Sequence, residues 1–145
     1  MPALLFVYGT LRRSPRGLHH PLLRRTRFLG NGTARGRLYD VGRYPAFVPV
    51  GTTRNRVSGE LYLLRYPEHD WPRLDAHEEC DDNDPRAEYR RELIDVRVPG
   101  GKSVRAWCYI YNRPVRGLRR ITCADYRSYQ RSGIIAAEGK ENTDE

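Results

Sequence analysis

The chain has 145 residues and a mass of 16.9 kDa, which suits one domain rather than two. Its apolar residues occur in short runs, none near the roughly 18 residues of a membrane-spanning helix. The net charge of +8 would suit a polyanionic partner. However, 24 of the 26 basic residues are Arg and no nucleic-acid-binding motif accompanies them, so we interpret the charge as a codon bias. We therefore do not expect a nucleic acid to be the partner.

The cysteines and the N-terminus predict a reducing compartment. Cys80, Cys108 and Cys123 have wide, irregular spacings that match neither a CxxC metal motif nor the disulfide framework of a secreted domain. We expect reduced structural thiols. The first eight residues enter a strand-like pattern directly, without the charged head and cleavage site of a secretory signal. These features predict a cytoplasmic protein.

The first half of the chain alternates strand-like runs with glycine- and proline-containing turns. We predict strands over residues 4–8, 28–40, 45–49 and 57–64, and one or two helical turns over residues 18–23. The second strand contains Gly30, Gly32 and Gly36, which predict a bend or bulge. The third strand has proline at both ends, which confines it to an edge of the sheet.

The second half predicts a helix over residues 68–80 and a hairpin of residues 89–98 and 104–111. Thr122 is a candidate N-cap for another short helix that reaches Tyr129. Residues 1–135 then form a single domain, and the polar residues 136–145 are expected to be a disordered tail. Strands that do not alternate regularly with helices favour an α+β fold with a largely antiparallel sheet or small barrel.

Glu78 is the first candidate for chemistry. If residues 68–80 are helical, a rotation of about 100° per residue places Glu78 about 20° from Trp71, on the face that meets the core. A carboxylate there loses water, which raises its pKa unless a cation pairs with it. A raised pKa suits a general base. The alternative is that Glu78 belongs to a solvated acidic helix end, because runs of charge usually lie at the surface.

The second candidate is the segment Tyr8-Gly9-Thr10-Leu11. A buried strand that stops at Gly9 turns its next backbone N–H groups out of the sheet, which forms a donor set suited to a carboxylate or an oxyanion. The alternative is an ordinary strand end capped by Thr10. Two further residues could line the pocket or simply pack in the core: Tyr44, which precedes a proline in a tight segment, and Tyr111, which ends a core strand.

Both segments occur together in one known family. The sequence resembles the γ-glutamylcyclotransferase-like family, in particular its γ-glutamylamine and butirosin-type branch. Members share a Tyr-Gly-Thr-Leu loop after the first strand and a Leu-Asp-x-x-Glu helix that carries the catalytic acid, here residues 8–11 and 74–78. Weaker blocks match in order and spacing over roughly residues 4–130. They are residues 36–39, 44–45, 57–62, 89–91, 106–109 and 125–127.

The resemblance implies a small mixed β-barrel and an intramolecular acyl transfer that needs no metal or cofactor. The α-amine of a γ-glutamyl amine or γ-glutamyl amino acid would attack its own γ-carbonyl, giving 5-oxoproline and a free amine. By this resemblance Glu78 is the general acid and base. The predicted substrate-binding residues are Tyr8, Gly9, Thr10, Leu11, Tyr44 and Tyr111. The expected partner is this small-molecule substrate, and the sequence leaves the oligomeric state open.

Two other interpretations stay open. One is a small-molecule binding or regulatory module that keeps the fold without the reaction, and the other is a basic protein that associates with nucleic acid. A metal enzyme is not expected, because His19, His20, His69 and His77 show no ligand spacing with Cys or carboxylates.

The chain departs from the family pattern directly after the acid. Glu79 and Cys80 stand where the family often has a glycine or another small residue, and residues 81–84 add negative charge. We expect this charge to raise the pKa of Glu78 further or to narrow the range of leaving groups.

Overall fold

Seven β-strands and one α-helix make up the regular structure of the described residues. The computed structural model describes residues 2–14, 16–42, 44–78, 80, 84–122, 125, 126, 128 and 129. The elements are β1 (Ala3–Val7), β2 (Arg27–Asp40), β3 (Pro45–Pro49), β4 (Arg56–Leu64), α1 (Pro67–His77), β5 (Tyr89–Arg97), β6 (Ser103–Tyr111) and β7 (Arg119–Ile121). A single 3₁₀ turn spans Pro21–Leu23, within the predicted residues 18–23.

Five of these strands close into a barrel. They pair in the order β2-β4-β1-β6-β5, and Thr33 of β2 pairs with Arg97 of β5 to complete the circuit. Only β1 and β6 are parallel; the other pairs around the barrel are antiparallel. Strands β3 and β7 extend the far end of β2. The structure thus confirms the predicted α+β fold, a small, mixed and largely antiparallel barrel.

The bend predicted in β2 lies at its first glycine. The register with β4 shifts between Phe28 and Gly30, and Gly30 has a φ of 139°, which a residue with a side chain rarely adopts. A bulge increases the local twist, so a strand of 14 residues can follow the barrel wall and then continue past it to pair with β3.

The helix ends earlier than its pattern predicts. Helix α1 stops at His77, and Glu78 is its C-cap, with φ −89° and ψ 3°. The predicted end at residue 80 is therefore wrong. The reason lies outside the helix: Cys80 forms a parallel bridge with Tyr89 at the start of β5, which draws the chain toward the barrel.

The third predicted helix falls partly outside the described residues. Tyr126, Ser128 and Tyr129 have helical backbone, and the N–H of Tyr129 donates to the carbonyl of Asp125 at 3.1 Å. The predicted tail, residues 136–145, and Cys123 lie outside the described part of the chain. No helix within that part has the length and apolar character needed to cross a lipid bilayer.

Side chains that alternate along the strands form two apolar clusters. One cluster fills the barrel and contains, among others, Phe6, Tyr8, Phe47, Leu61, Val96 and Ile110. The other packs between the barrel and α1 and contains, among others, Leu5, Val7, Leu11, Tyr62, Leu74, Tyr89 and Tyr109. Cys80 and Cys108 are buried within these clusters. The two clusters meet where β1 ends, and the candidate site opens there.

Candidate active site

A small cavity of about 30 Å³ lies at the C-terminal end of β1. Its lining residues are Phe6, Val7, Tyr8, Gly9, Thr10, Leu11, Tyr44, Pro45, Glu78, Tyr89 and Tyr109. Six of the seven residues predicted for the site are among them; Tyr111 is the exception. The structure therefore brings together two segments, residues 8–11 and Glu78, that are far apart in the sequence.

Helix α1 is fastened to the barrel one turn before Glu78. The side chain of Leu74 is fully buried against the barrel wall. Asp75 accepts a hydrogen bond from the hydroxyl of Tyr109 at 2.7 Å and lies 2.9 Å from Nε of Arg91. Because these contacts come from β6 and β5, they set the position of the helix end relative to the cavity. The Leu-Asp pair of the sequence motif thus holds the acid that follows it.

Glu78 is a desolvated carboxylate. Burial, and to a smaller extent the nearby carboxylate of Glu88, together raise its pKa from the ordinary value of 4.5 to about 7. Within the described residues, no side chain or backbone group donates a hydrogen bond to the Glu78 carboxylate, and no cation pairs with it. A carboxyl group with a pKa near neutrality can both accept and donate a proton at physiological pH.

The acidic residues expected to act on Glu78 lie mostly outside the described part of the chain, so that expectation stays a prediction. Glu79, Asp81 and Asp82 lie outside the described residues. Among those described, the carboxylate that acts on Glu78 is Glu88, directly before β5. Glu88 is 7% exposed; its Oε2 lies 3.3 Å from Nη1 of Arg113, and its Oε1 is buried without a hydrogen bond. The negative charge of Glu88 is therefore close enough to Glu78 to raise its pKa.

The loop after β1 supplies unpaired backbone donors. The carbonyl of Gly9 accepts from the N–H of Arg12 at 3.1 Å, which closes a turn with Thr10 and Leu11 at its centre. Within the described residues, nothing accepts a hydrogen bond from the N–H groups of Gly9, Thr10 or Leu11. Since all three residues line the cavity, the loop can bind a carboxylate or a developing oxyanion there.

Gly9 is required by the close approach of a second segment. A Cβ atom at Gly9 would lie 2.8 Å from Cγ and 3.0 Å from Cδ of Pro45, at the start of β3. Any other residue would push the loop away from Pro45 or displace the proline. The Tyr-Gly-Thr-Leu pattern thus depends on packing as well as on turn geometry.

Glu60 is a site-forming residue that the sequence reasoning missed. It lies on β4, is 3% exposed, and its Oε1 accepts from the backbone N–H of Arg13 at 2.8 Å and from the hydroxyl of Tyr62 at 3.0 Å. Its Oε2 lies 3.8 Å from Nε of both Arg12 and Arg13. This buried carboxylate anchors the end of the donor loop. The available signal was an acidic residue inside the apolar strand pattern of residues 57–64.

Two buried tyrosines fix the cavity walls. The hydroxyl of Tyr8 donates to the carbonyl of Tyr109 at 2.7 Å, and that of Tyr89 donates to the carbonyl of Pro45 at 2.8 Å. Burial raises the pKa of both Tyr8 and Tyr89 above the ordinary range, so both stay protonated. Their hydroxyl groups tie β1 to β6 and β5 to β3.

The two weaker tyrosine candidates occupy different positions. Tyr44 lines the cavity, and its ring packs edge-on against Tyr89 with centroids 6.0 Å apart. Tyr111 does not line it; its ring packs against Tyr89 from 5.6 Å. Tyr111 therefore supports a wall residue. Because Tyr111 does not line the cavity, the structure gives no support to its predicted contact with a substrate.

Trp71, which the helical pattern places on the same face as Glu78, does not line the cavity. Trp71 instead packs edge-on against Trp107 and Tyr109, with the guanidinium of Arg91 4.2 Å from its ring centroid. It is absent from the lining of the cavity, whose aromatic walls near Glu78 include Tyr8, Tyr89 and Tyr109.

The histidines form a local pair rather than a metal site. The rings of His20 and His77 are 5.4 Å apart, and Nδ1 of His20 accepts from the N–H of Leu22 at 3.1 Å. Burial, and then His77, lower the pKa of His20. Across the described residues, no group of three or more His, Cys, Asp and Glu side chains is placed to hold a metal ion.

Comparison with known proteins agrees with this architecture. The profile of the family described as "Gamma-glutamyl cyclotransferase, AIG2-like" matches residues 5–128. A Vibrio cholerae protein named for the same activity is 37% identical over 128 residues, covering 87% of this chain and 96% of that protein. The Escherichia coli γ-glutamylcyclotransferase family protein YtfP is 35% identical over 123 residues, covering 84% and 94%.

Solved structures give the same result. The solution structure of Escherichia coli YtfP superposes with a TM-score of 0.58 at 34% identity, covering 85% of this chain and 95% of that one. The crystal structure of an AIG2-like protein from Mus musculus has a TM-score of 0.57 at 28% identity, covering 75% and 76%. The chain belongs to the γ-glutamyl cyclotransferase, AIG2-like family. The resemblance stated from the two motifs is thereby confirmed.

Proposed function

We propose that this protein is a γ-glutamyl cyclotransferase that converts a γ-glutamyl amine or γ-glutamyl amino acid into 5-oxoproline and a free amine. One observation carries the proposal: a carboxylate with a pKa of about 7 shares a small cavity with three backbone N–H groups, and none of these four groups has a hydrogen-bond partner in the part of the chain that the structure describes. Membership of the family supports the same reaction class.

The proposed mechanism uses Glu78 as a proton shuttle. The carboxylate takes a proton from the α-ammonium, and the freed amine attacks the γ-carbonyl carbon to form the C–N bond of the five-membered ring. The protonated Glu78 then donates to the leaving nitrogen while the original amide C–N bond breaks. Glu78 takes the second proton of the former α-ammonium as the ring closes, and the released amine gains it. The two protons lost by one nitrogen equal the two gained by the other, so one carboxyl group suffices.

The donor loop would act on the developing negative charge. As the amine attacks, the γ-carbonyl oxygen becomes an oxyanion, and N–H groups of residues 9–11 could donate to it or hold the substrate carboxylate. These donors are already oriented, so no protein reorganisation is needed during the reaction. Because nucleophile and electrophile belong to one molecule, holding a ring-closing conformer supplies much of the remaining acceleration.

The test is release of 5-oxoproline from a panel of γ-glutamyl amines and γ-glutamyl amino acids. Glu78→Gln keeps the shape of the side chain and removes the proton carrier. It should lower kcat/KM about 100- to 10,000-fold, the usual contribution of one general acid–base group. Glu68→Gln is the matched control, since Glu68 is exposed on the first turn of α1 and does not line the cavity.

Two outcomes would contradict the proposal. Full activity in Glu78→Gln would remove the assigned role of the carboxyl group. Tight binding of γ-glutamyl compounds with no turnover of any of them would favour the alternative, a binding or regulatory module of the same fold. Calorimetric titration of the panel against the unmodified protein separates the second outcome from a simple mismatch of substrate.

A further inference from the structure

Three arginines converge on the outer face of the barrel. In the antiparallel register, Arg35 of β2 lies directly opposite Arg56 of β4, and Thr33 of β2 lies directly opposite Arg97 of β5. Directly paired residues, and residues two apart on one strand, point to the same side of a sheet. Ala34 between them is buried in the barrel core, so all three guanidinium groups share the outward face.

Their positive charges are not compensated within the described part of the chain. Arg35, Arg56 and Arg97 form no ion pair there. The acidic groups next to them are already engaged, with Asp95 3.3 Å from Arg105 and Glu92 2.6 Å from Arg90. Like charges directly opposite each other on neighbouring strands destabilise a sheet, so this arrangement is unfavourable unless an anion is present.

The local potential and the geometry agree. Burial, then Arg97, then Arg35 lower the pKa of Arg56, so both neighbouring guanidinium groups are close enough to act on Arg56. Arg56 is nevertheless held in place by Thr33: its Nε donates to Oγ1 at 2.8 Å and its Nη2 to the carbonyl at 3.2 Å. Arg35 donates from Nη1 to the carbonyl of Gly51 at 3.4 Å. Neutral acceptors thus orient the guanidinium groups without cancelling their charge.

A cavity of about 470 Å³ lies over this cluster. This cavity, here called the arginine pocket, is lined by Arg35, Arg56, Arg97, Arg105 and Ser103, and also by the two ion-paired carboxylates Glu92 and Asp95. The volume is typical of small-molecule sites, and all three arginines of the cluster line the same concavity. Oriented guanidinium groups match the oxygens of a phosphate, which can accept several charge-assisted hydrogen bonds at once.

We propose that the arginine pocket binds the phosphate group of a small molecule. Its residues are distinct from those that line the Glu78 cavity, so the proposal is independent of the proposed catalytic function. Inorganic phosphate is the simplest probe of the shared chemistry. A phosphomonoester such as glycerol phosphate then tests whether an organic group can be carried in the same pocket.

The experiment titrates the full chain with inorganic phosphate, replacing chloride at constant ionic strength, and follows backbone amide shifts by NMR. Saturable shifts should centre on β2, β4 and β5 around the pocket. Arg97→Gln and Arg56→Gln should each weaken binding by at least about tenfold, as expected for loss of a charge-assisted hydrogen bond. Arg97 is exposed, so its replacement leaves the core intact. Arg73→Gln, which removes the same charge from the exposed face of α1, should change the affinity less than about twofold.

Three results would overturn the proposal. They are phosphate shifts that do not saturate, shifts that centre away from the pocket, and equal affinity in Arg97→Gln and the unmodified chain. A fourth result would also contradict it and would indicate a nucleic-acid ligand instead. In that case a single-stranded oligonucleotide binds at physiological salt with the same arginine dependence, while phosphate and glycerol phosphate do not bind.

Discussion

Glu78→Gln should make the protein more stable, and more so as the pH rises. The substitution replaces a half-buried carboxylate, which has no ion-pair partner among the described residues, by a neutral amide of nearly the same shape. In the folded chain the pKa of Glu78 is about 7, whereas the unfolded chain has the ordinary value of 4.5. A pKa raised by folding contributes stability that is fully present below the unfolded pKa and lost as the pH rises through the folded pKa. The unmodified protein therefore loses the contribution of Glu78 to its stability between pH 4.5 and just above 7, and the variant has no such contribution to lose.

The size of the effect follows from the two pKa values. Each pKa unit corresponds to 1.36 kcal/mol, so the difference between 4.5 and about 7 amounts to about 3 kcal/mol at pH 8. This is an upper value, because one side of the cavity is open to solvent. Near pH 4, where Glu78 is protonated in the folded chain, the variant and the unmodified protein should differ by less than about 1 kcal/mol.

The assay is urea unfolding at pH 4, 6 and 8, followed by the fluorescence of Trp71 and Trp107. The quantity to compare is the difference in free energy of unfolding between Glu78→Gln and the unmodified chain, since other titrating groups cancel in it. Glu68→Gln, at an exposed position, should change stability by less than about 0.5 kcal/mol throughout. A Glu78→Gln effect that is constant across this pH range would refute the desolvated carboxylate.

Three further substitutions test the surroundings of that carboxylate. Glu88→Gln removes the second carboxylate and should lower the pKa of Glu78, so the acidic limb of the kcat/KM–pH profile should move to lower pH; an unmoved limb would contradict the coupling. Gly9→Ala places a Cβ 2.8 Å from Pro45 and should lower kcat/KM by at least about tenfold through displacement of the donor loop, with the fold intact by circular dichroism; unchanged kinetics would count against the packing argument. Glu60→Gln weakens the anchor of that loop and should lower the free energy of unfolding by about 1–3 kcal/mol, while the acidic limb of the kcat/KM–pH profile stays in place. A shifted limb would instead give Glu60 a direct role in proton transfer.

The strands of the barrel were predictable because each carries its own hydrophobic pattern. Residues 57–64 and 104–111 alternate or run apolar over a length typical of strands, and the structure places β4 and β6 there within a residue. Strand β7 was not predicted, because two of its three residues are arginines. It exists because β2 offers pairing partners, Leu38 to Asp40, and because Ile121 is buried against the core.

Features that depend on distant parts of the chain could not be read from local patterns. The parallel pairing of β1 with β6 brings together Phe6 and Cys108, about a hundred residues apart, and no period in either segment encodes it. The end of α1 is set by the bridge between Cys80 and Tyr89. Among the described residues, a carboxylate that raises the pKa of Glu78 is Glu88, ten positions further along the chain, and no local pattern places it there.

The same reasoning explains why the two sequence motifs were informative. Counting the described residues only, the loop that begins at Gly9 has backbone N–H groups without acceptors, and the carboxylate of Glu78 at the end of α1 has no donor. Each is unfavourable for folding by itself, because buried polar groups without partners destabilise the native state. The loop does not donate a hydrogen bond to the carboxylate of Glu78, although such a bond would satisfy both groups. The loop is stabilised instead by its contact with Glu60, and the helix by the contact of Asp75 with Tyr109. The donors of the loop and the carboxyl group of Glu78 face one cavity, and contacts to Glu60 and Asp75 hold them there. This pair is complementary to a ligand that carries both a proton to transfer and an oxygen that becomes negative.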